Sequence, residues 1–195
     1  MYKIPANTLF LGKNLVYVPQ CHSTNTLATE LSQKAETQEG TLIITNHQMA
    51  GRGQRGSSWE AAPGENLTFS LILKPDFLQA QNQFQLNQAF SLGVLDYVKT
   101  NLSEEVKVKW PNDIMVNERK VCGILFENQI SGNELRHSIV GIGLNVNQLS
   151  FQHPGAGSLR LFSGLLYSLP IELEALLYHL ELRYRMLKEK HHEKL

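Results

Sequence analysis

Gly51-Arg52-Gly53-Gln54-Arg55-Gly56 decides how this sequence folds. It follows Thr41 to Thr45, a β-branched run that reads as a buried strand, and it formally matches the G-x-G-x-x-G of dinucleotide-binding folds. Asp76 even stands about 20 residues beyond the last glycine, where such folds place a ribose-binding acid. That reading needs a helix directly after the glycines, so that its N-terminus faces a pyrophosphate. Ser57-Ser58-Trp59-Glu60 is a polar run and Pro63-Gly64 breaks helices, so Asn46 to Gly64 reads as a long loop. The Gly-Lys-Ser/Thr ending of a P-loop is also missing. What remains is a flexible chain with two cations, Arg52 and Arg55, suited to closing over phosphates; in isolation it would read as solvated glycine turns. A loop this long inside a compact domain is usually functional.

Outward from the loop, Leu15 to Val18 alternates weakly and feeds Ser23-Thr24-Asn25, any of which can cap a helix from about Thr26 to Lys34. Asn66 to Lys74 is strand-like, and Leu86, Phe90, Val94, Val98 and Leu102 repeat every four residues as one face of a core helix. Val106 to Trp110, Ile114 to Asn117, Lys120 to Glu127 and Arg136 to Asn147 are four further strand candidates. Their short connections imply antiparallel neighbours. Val106, Val108 and Trp110 are expected to face the core, with Lys107 and Lys109 on the other face. Leu173, Leu177, Leu180, Tyr184 and Leu187 make a terminal amphipathic helix that docks on the sheet. The expected fold is therefore α+β, a mixed and mostly antiparallel sheet flanked by helices.

Composition narrows the function classes. Length and mass, 195 residues and 22.0 kDa, suit one domain spanning 1–195. Eighteen basic residues balance eighteen acidic ones, which removes the general positive field of a nucleic-acid or membrane-surface binder. Two cysteines, Cys21 and Cys122, are too few for a disulfide framework or a four-cysteine metal site, and a reducing cytoplasm fits best. No apolar run approaches the ~20 residues needed to cross a bilayer. Cys122 reads as a buried filler rather than a nucleophile, and His191 and His192 as a solvated helix end without ligands at zinc spacing.

Four motifs then agree in order and spacing. They are Ser23-Thr24-Asn25; Gln48 to Trp59 followed by Pro63 to Ser70; Lys109-Trp110-Pro111-Asn112-Asp113 with Lys120 to Leu125; and Gly141-Ile142-Gly143-Leu144-Asn145-Val146-Asn147. Together they resemble the catalytic part of biotin protein ligases, over roughly residues 20 to 147. The resemblance implies a class II aminoacyl-tRNA-synthetase-like sheet, biotin and ATP as substrates, a biotinyl-5′-AMP intermediate and Mg2+. It also implies biotin carboxyl carrier protein, of acetyl-CoA carboxylase or a related carboxylase, as acceptor. Carried over by position, Ser23, Thr24, Asn25 and Gln48 would meet the ureido end of biotin. Arg52, Gly53 and Gln54 would lie along the ligand, and Lys120, beside Gly123, would reach its carboxylate. Arg55, Trp59, Asn66, Lys109, Asn112 and Asn145 would hold ATP or the adenylate, and Asp113 would act near metal. Lys120, Arg52 and Lys109 are the catalytic candidates.

The chemistry explains why cations recur. A biotin carboxylate brought against a triphosphate meets about 4 kcal/mol of repulsion per charge pair at 4 Å if the effective dielectric is near 20. Arg52, Arg55, Lys109 and Lys120 would offset it, and those that bond more strongly to the five-coordinate phosphorus accelerate the step. On the last motif Gly141, Gly143 and Asn145 share one strand face, opposite Val140, Ile142 and Leu144, which leaves a shallow surface for a flat ligand. Without the neighbouring motifs Lys109 and Lys120 would read as exposed strand lysines, as Lys107 still does.

Many family members carry arginine at the place of Gln54 and a basic residue at that of Ser57, so this loop holds less positive charge. About 22 residues precede the first motif, too few for the winged-helix domain of the bifunctional repressor members, and operator binding is not expected. The last 25 residues read as helix, so the SH3-type barrel that commonly follows the catalytic sheet in such ligases is not expected here. A homodimer, a non-catalytic biotin or adenylate binding module, and a lipoate ligase stay open.

Overall fold

The computed structural model describes residues 2–192, the side chains of Arg55 and His192 excepted. Seven strands, β1 (Leu15–Cys21), β2 (Thr41–Gln48), β3 (Leu67–Leu73), β4 (Val106–Lys109), β5 (Asp113–Val116), β6 (Arg119–Ser131) and β7 (Glu134–Leu144), form one sheet. Their order is β1-β2-β3-β7-β6-β5-β4. β1 and β2 are parallel, joined by helix α1 (Thr24–Ser32); every other neighbouring pair is antiparallel. The α+β expectation holds, and between Gly51 and the start of β3 there is no regular helix, only a single 3-10 turn at Gln54–Gly56.

Strand alternation divides the sheet into two unlike faces. Leu67, Phe69 and Leu71 of β3 and Val140, Ile142 and Leu144 of β7 enter the main core, with Phe90, Val94 and Tyr97 of α2 (Phe84–Asn101) and Leu177, Leu180 and Tyr184 of α4 (Leu169–His192). The opposite face carries α1 over a smaller cluster, Ala28, Ile43, Ile72 and Ile139. Beyond α1 that face is lined by small and polar residues. Thr45, Thr68, Gly143, Gly123 and Asp113 are successive partners across five strands, and Ser70, Gly141 and Leu125 form the next row.

Several details differ from expectation. Trp110 does not join Val106 in the core: it is 75% exposed, because β4 ends at Lys109 and the chain turns at Pro111, ending the alternation. β2 runs on to Gln48, drawn out by parallel pairing of Gln48 with Cys21. A short helix, α3 (Leu159–Ser163), went unanticipated, although Ser158 caps it by accepting from the Leu161 N–H and Gly164, at φ 74°, ends it. His191 is not simply solvated; its ring packs against Phe77 and bonds Gln85 Oε1 at 2.7 Å. The His192 side chain lies outside the described residues.

Candidate functional site

Two cavities open on the small-residue face and meet at one wall. The inner cavity, about 190 Å³, is lined by Ser23, Thr24 and Asn25 at the start of α1, by Gln48 at the end of β2, and by Arg52, Gly53, Gln54 and Ser57 to Trp59 of the loop. The outer cavity, about 670 Å³, is lined by Trp59, Glu60, Lys109 and Asn145 and by the segment from Phe151 to Ala156. Ser57, Ser58, Trp59, Asp113 and Lys120 line both.

Each wall follows from local chemistry. Gln48 Oε1 accepts the Thr24 N–H at 2.8 Å, which satisfies a donor at the start of α1 that no helical carbonyl reaches. Ser70 Oγ stands 2.6 Å from Asn25 Oδ1 and 2.7 Å from Thr24 Oγ1. The glycines of the floor are required by what packs on them. A Cβ at Gly141 would stand 2.2 Å from Asn25 Oδ1, and one at Gly143 would stand 2.3 Å from the Trp59 ring. A Cβ at Gly123 would meet both Trp59 and the Lys120 side chain at 3.0 to 3.2 Å. The expected shallow surface is therefore there, but protein side chains use it: the indole lies on the glycine floor as the partition between the cavities.

Lys120 stands at that partition. Its Nζ is 2.7 Å from Asp113 Oδ1 and 5.6 Å from the centroid of the Trp59 ring, a cation-π approach. Its backbone is fixed on both sides: its N–H donates to Gly155 O at 2.8 Å, and its carbonyl accepts from Gly157 N–H at 2.9 Å. Arg52 lines the inner cavity and is 3.2 Å from Glu127 Oε2. Two of the expected cations thus bring carboxylates with them, so local charge is smaller than a count of basic residues suggests, and position matters more. Lys109 is exposed and lines the outer cavity.

The remaining expected residues fall in distinct places. Gly53 donates its N–H to Ser57 O at 2.6 Å, and Ser57 Oγ donates to the Gln54 carbonyl at 2.6 Å, so Ser57 closes the loop on itself. Asn112 is buried and donates to the Ile124 carbonyl; it lines the inner cavity, not the outer one. Asn66 lines neither: its side chain accepts from Val146 N–H at 2.9 Å and donates to Gln148 Oε1 at 2.5 Å, bracing the strand ends. Asn145 donates to the Gly157 carbonyl at 2.9 Å, which leaves its Oδ1 buried without a partner; Trp59 Nε1 is likewise unpartnered. The Arg55 side chain lies outside the described residues. Cys122 is fully buried, and burial pushes its thiol well above the usual range, which suits packing and not nucleophilic chemistry.

Sequence reasoning missed Ser70, Glu127, Glu60 and the segment 151–156. Ser70 did carry a signal, since Thr68 and Ser70 alternate with Leu67, Phe69 and Leu71. Glu60 accepts from Gln152 N–H at 3.1 Å and so ties the glycine-arginine loop to the outer wall across 92 residues, a contact no local pattern carries. Among the described residues no three His, Cys, Asp or Glu side chains converge as a metal cluster, and no helix is long and apolar enough to cross a membrane.

Comparison with known proteins adds an independent line. Residues 17–145 match the model of the biotin/lipoate A/B protein ligase family. The bifunctional ligase/repressor BirA of Bacillus spizizenii is 37% identical over 147 residues, 75% of this chain and 45% of its own length. The biotin--[acetyl-CoA-carboxylase] ligase of Paracoccus denitrificans is 35% identical over 106 residues, 53% of this chain and 43% of its own. Among solved structures, the biotin protein ligase from Aquifex aeolicus in complex with biotin and ATP superposes with a TM-score of 0.77 at 29% identity, covering 91% of this chain and 73% of that one. The chain spans under half the length of these two curated relatives.

Proposed function

The chain belongs to the biotin/lipoate A/B protein ligase family, and from that premise we propose that it activates biotin with ATP and transfers it to a lysine of a biotin carboxyl carrier protein. One observation carries the reading: the two cavities share a wall at which the Lys120 ammonium stands. An acid lying in the inner cavity and a nucleotide lying in the outer one would bring their reacting ends together at that ammonium.

In the reaction, a carboxylate oxygen of biotin bonds to the α-phosphorus of ATP as the bond to the bridging oxygen of the β-phosphate breaks. Biotinyl-5′-AMP and pyrophosphate result. The neutral amine of the carrier lysine then attacks the anhydride carbonyl, AMP leaves with the bridging oxygen, and the nitrogen loses a proton. Lys120 reduces the repulsion of the first encounter and follows the charge as it develops, the larger contribution in a site shielded from water. Lys109, across from Asp113 in the β4–β5 pair, lines the outer cavity and acts on phosphate oxygens. Gln48, bonded to Thr24, and Thr24 and Asn25, both bonded to Ser70, present polar atoms to the ureido ring. Two of the three buried unpartnered atoms, Trp59 Nε1 and Asn145 Oδ1, are a donor and an acceptor awaiting the adenylate; buried and unbonded they cost free energy that a ligand would recover.

Mg2+ fits the residues present, since that ion is usually held through one or two carboxylates plus substrate phosphates, and Asp113 lines the outer cavity. It would supply charge neutralisation to the triphosphate. The test is incubation of the chain with ATP, Mg2+, biotin and a carrier, read by mass spectrometry, with lipoate in a parallel reaction. A biotin-sized mass gain on the carrier lysine is expected. Folded protein that yields neither this gain nor biotin-dependent exchange of pyrophosphate into ATP would end the proposal.

A further inference from the structure

Glu127 has no part in the chemistry above, yet its surroundings are unusual for a carboxylate. It lies in β6 across from Ile139, which in turn lies across from Ile72, so it ends an apolar row beneath α1. Its side chain keeps 35% of its surface exposed, so the carboxylate stands at the rim of that row. Glu127 Oε2 accepts from Asn25 Nδ2 at 2.7 Å and from an Arg52 guanidinium nitrogen at 3.2 Å. The same guanidinium nitrogen is 3.4 Å from Thr26 Oγ1.

We propose that Glu127 is a positioning residue that assembles the inner cavity before ligand arrives, by holding Asn25 and Arg52 in their binding orientations. An ionised carboxylate can only accept, so it fixes which end of the Asn25 amide faces it. With Nδ2 turned to Glu127, Oδ1 turns to Ser70, and the single Ser70 proton goes to that oxygen at 2.6 Å. Thr24 follows at 2.7 Å from Ser70, and Gln48 is bonded to Thr24 in turn. One charge at the rim thus orders a chain of polar groups across the cavity wall. Asn25 has no room to swing aside, because it sits on Gly141. The second bond acts on the loop: through Arg52 it ties the glycine-arginine loop to β6 beside α1, in addition to the backbone bonds of Met49 and Ala50 to Cys21 and His22. An ion pair this exposed adds little to global stability, so its consequence is local order.

This inference deepens the ligase reading, and its test has one arm that does not depend on that reading. Glu127→Ala removes both bonds; Glu127→Gln keeps the shape, weakens the hold on Arg52 and lets the Asn25 amide turn over. Ligand-free wild type and variants are digested briefly with trypsin, and cleavage after Arg52 is followed by mass spectrometry. Both variants are expected to be cut several-fold faster there while their unfolding midpoints match wild type. In the turnover assay the KM for biotin should rise about tenfold to a hundredfold, the range that loss of one hydrogen bond to a charged group gives, while the KM for ATP stays within about twofold. Wild-type cleavage rates with a wild-type KM for biotin in both variants would overturn the proposal, as would parallel rises in both KM values with lowered midpoints. If wild type itself transfers no biotin, the ligase reading fails, and the trypsin arm alone decides for or against the latch.

Discussion

The two faces of one sheet come from the same strands and have opposite fates. On one face β3 and β7 present Phe69, Leu71, Val140 and Ile142 to α2 and α4, and nothing is left open. On the other the intervening residues are Thr68, Ser70, Gly141 and Gly143, and the space they leave is divided by Trp59 into two cavities. Alternation gives the sheet a structural side and a chemical side at no extra length. The difference teaches that glycine in these strands is a matter of room for what lies on top, since a carbon added at Gly141 or Gly143 would collide with Asn25 or Trp59 and one at Gly123 would crowd Trp59 and Lys120.

Substitutions should separate the faces cleanly. The largest effect is expected on the packed side: Phe90→Ala should cost about 3–5 kcal/mol of stability, read by denaturant unfolding, while turnover per folded molecule is kept. On the chemical side Lys120→Ala should reverse that pattern, lowering kcat/KM by about a hundredfold to a thousandfold, the cost of removing a charge-stabilising donor, with an unchanged unfolding midpoint. Gly143→Ala pushes the indole off the floor and should lower turnover by about a hundredfold, as displacements near 1 Å do, with biotin binding less affected than ATP binding.

Smaller effects sharpen the same contrast. Cys122, Tyr97 and Tyr184 all lie in the packed core, and burial raises each ionisation above its ordinary range. Because the folded state holds these protons more tightly, their contribution is complete below about pH 8.5, where an unfolded thiol titrates, and is lost as pH rises beyond it. Unfolding midpoints should therefore fall in alkali, and Cys122→Ala should remove the earliest part of the fall. Smallest is Lys107→Ala: the Lys107–Glu118 pair is exposed, and neither midpoint nor turnover is expected to change.

The sequence disclosed much of this through periodicity. The helical stripes on Leu86 to Leu102 and on Leu173 to Leu187 became α2 and α4, and the alternating runs became strands, with Trp110 the exception at the end of β4. It also disclosed which loop matters, since Pro63-Gly64 ruled out the helix a dinucleotide fold requires. The inner wall was legible in Ser23-Thr24-Asn25 and Gln48, residues that stand on regular elements. What stayed hidden depends on distant pairing. That Glu127 would hold Arg52 and that Glu60 would reach Gln152 are facts of register and loop path, which no single window contains, and even Asp113, seven residues from Lys120, meets it only through the pairing of β5 with β6. Asn66 shows the converse: read beside the adenylate, it is spent on Gln148 and Val146, within the fold itself.

The central claim is that an acid and a nucleotide meet across Lys120, and isotope transfer tests it most directly. Biotin labelled with oxygen-18 in both carboxylate oxygens is incubated with the chain, ATP, Mg2+ and a carrier, and the nucleotide product is weighed. The account requires AMP carrying one labelled oxygen, left behind when the carrier amine takes the acyl group. Unlabelled AMP, or ADP in its place, alongside biotinylated carrier would contradict it.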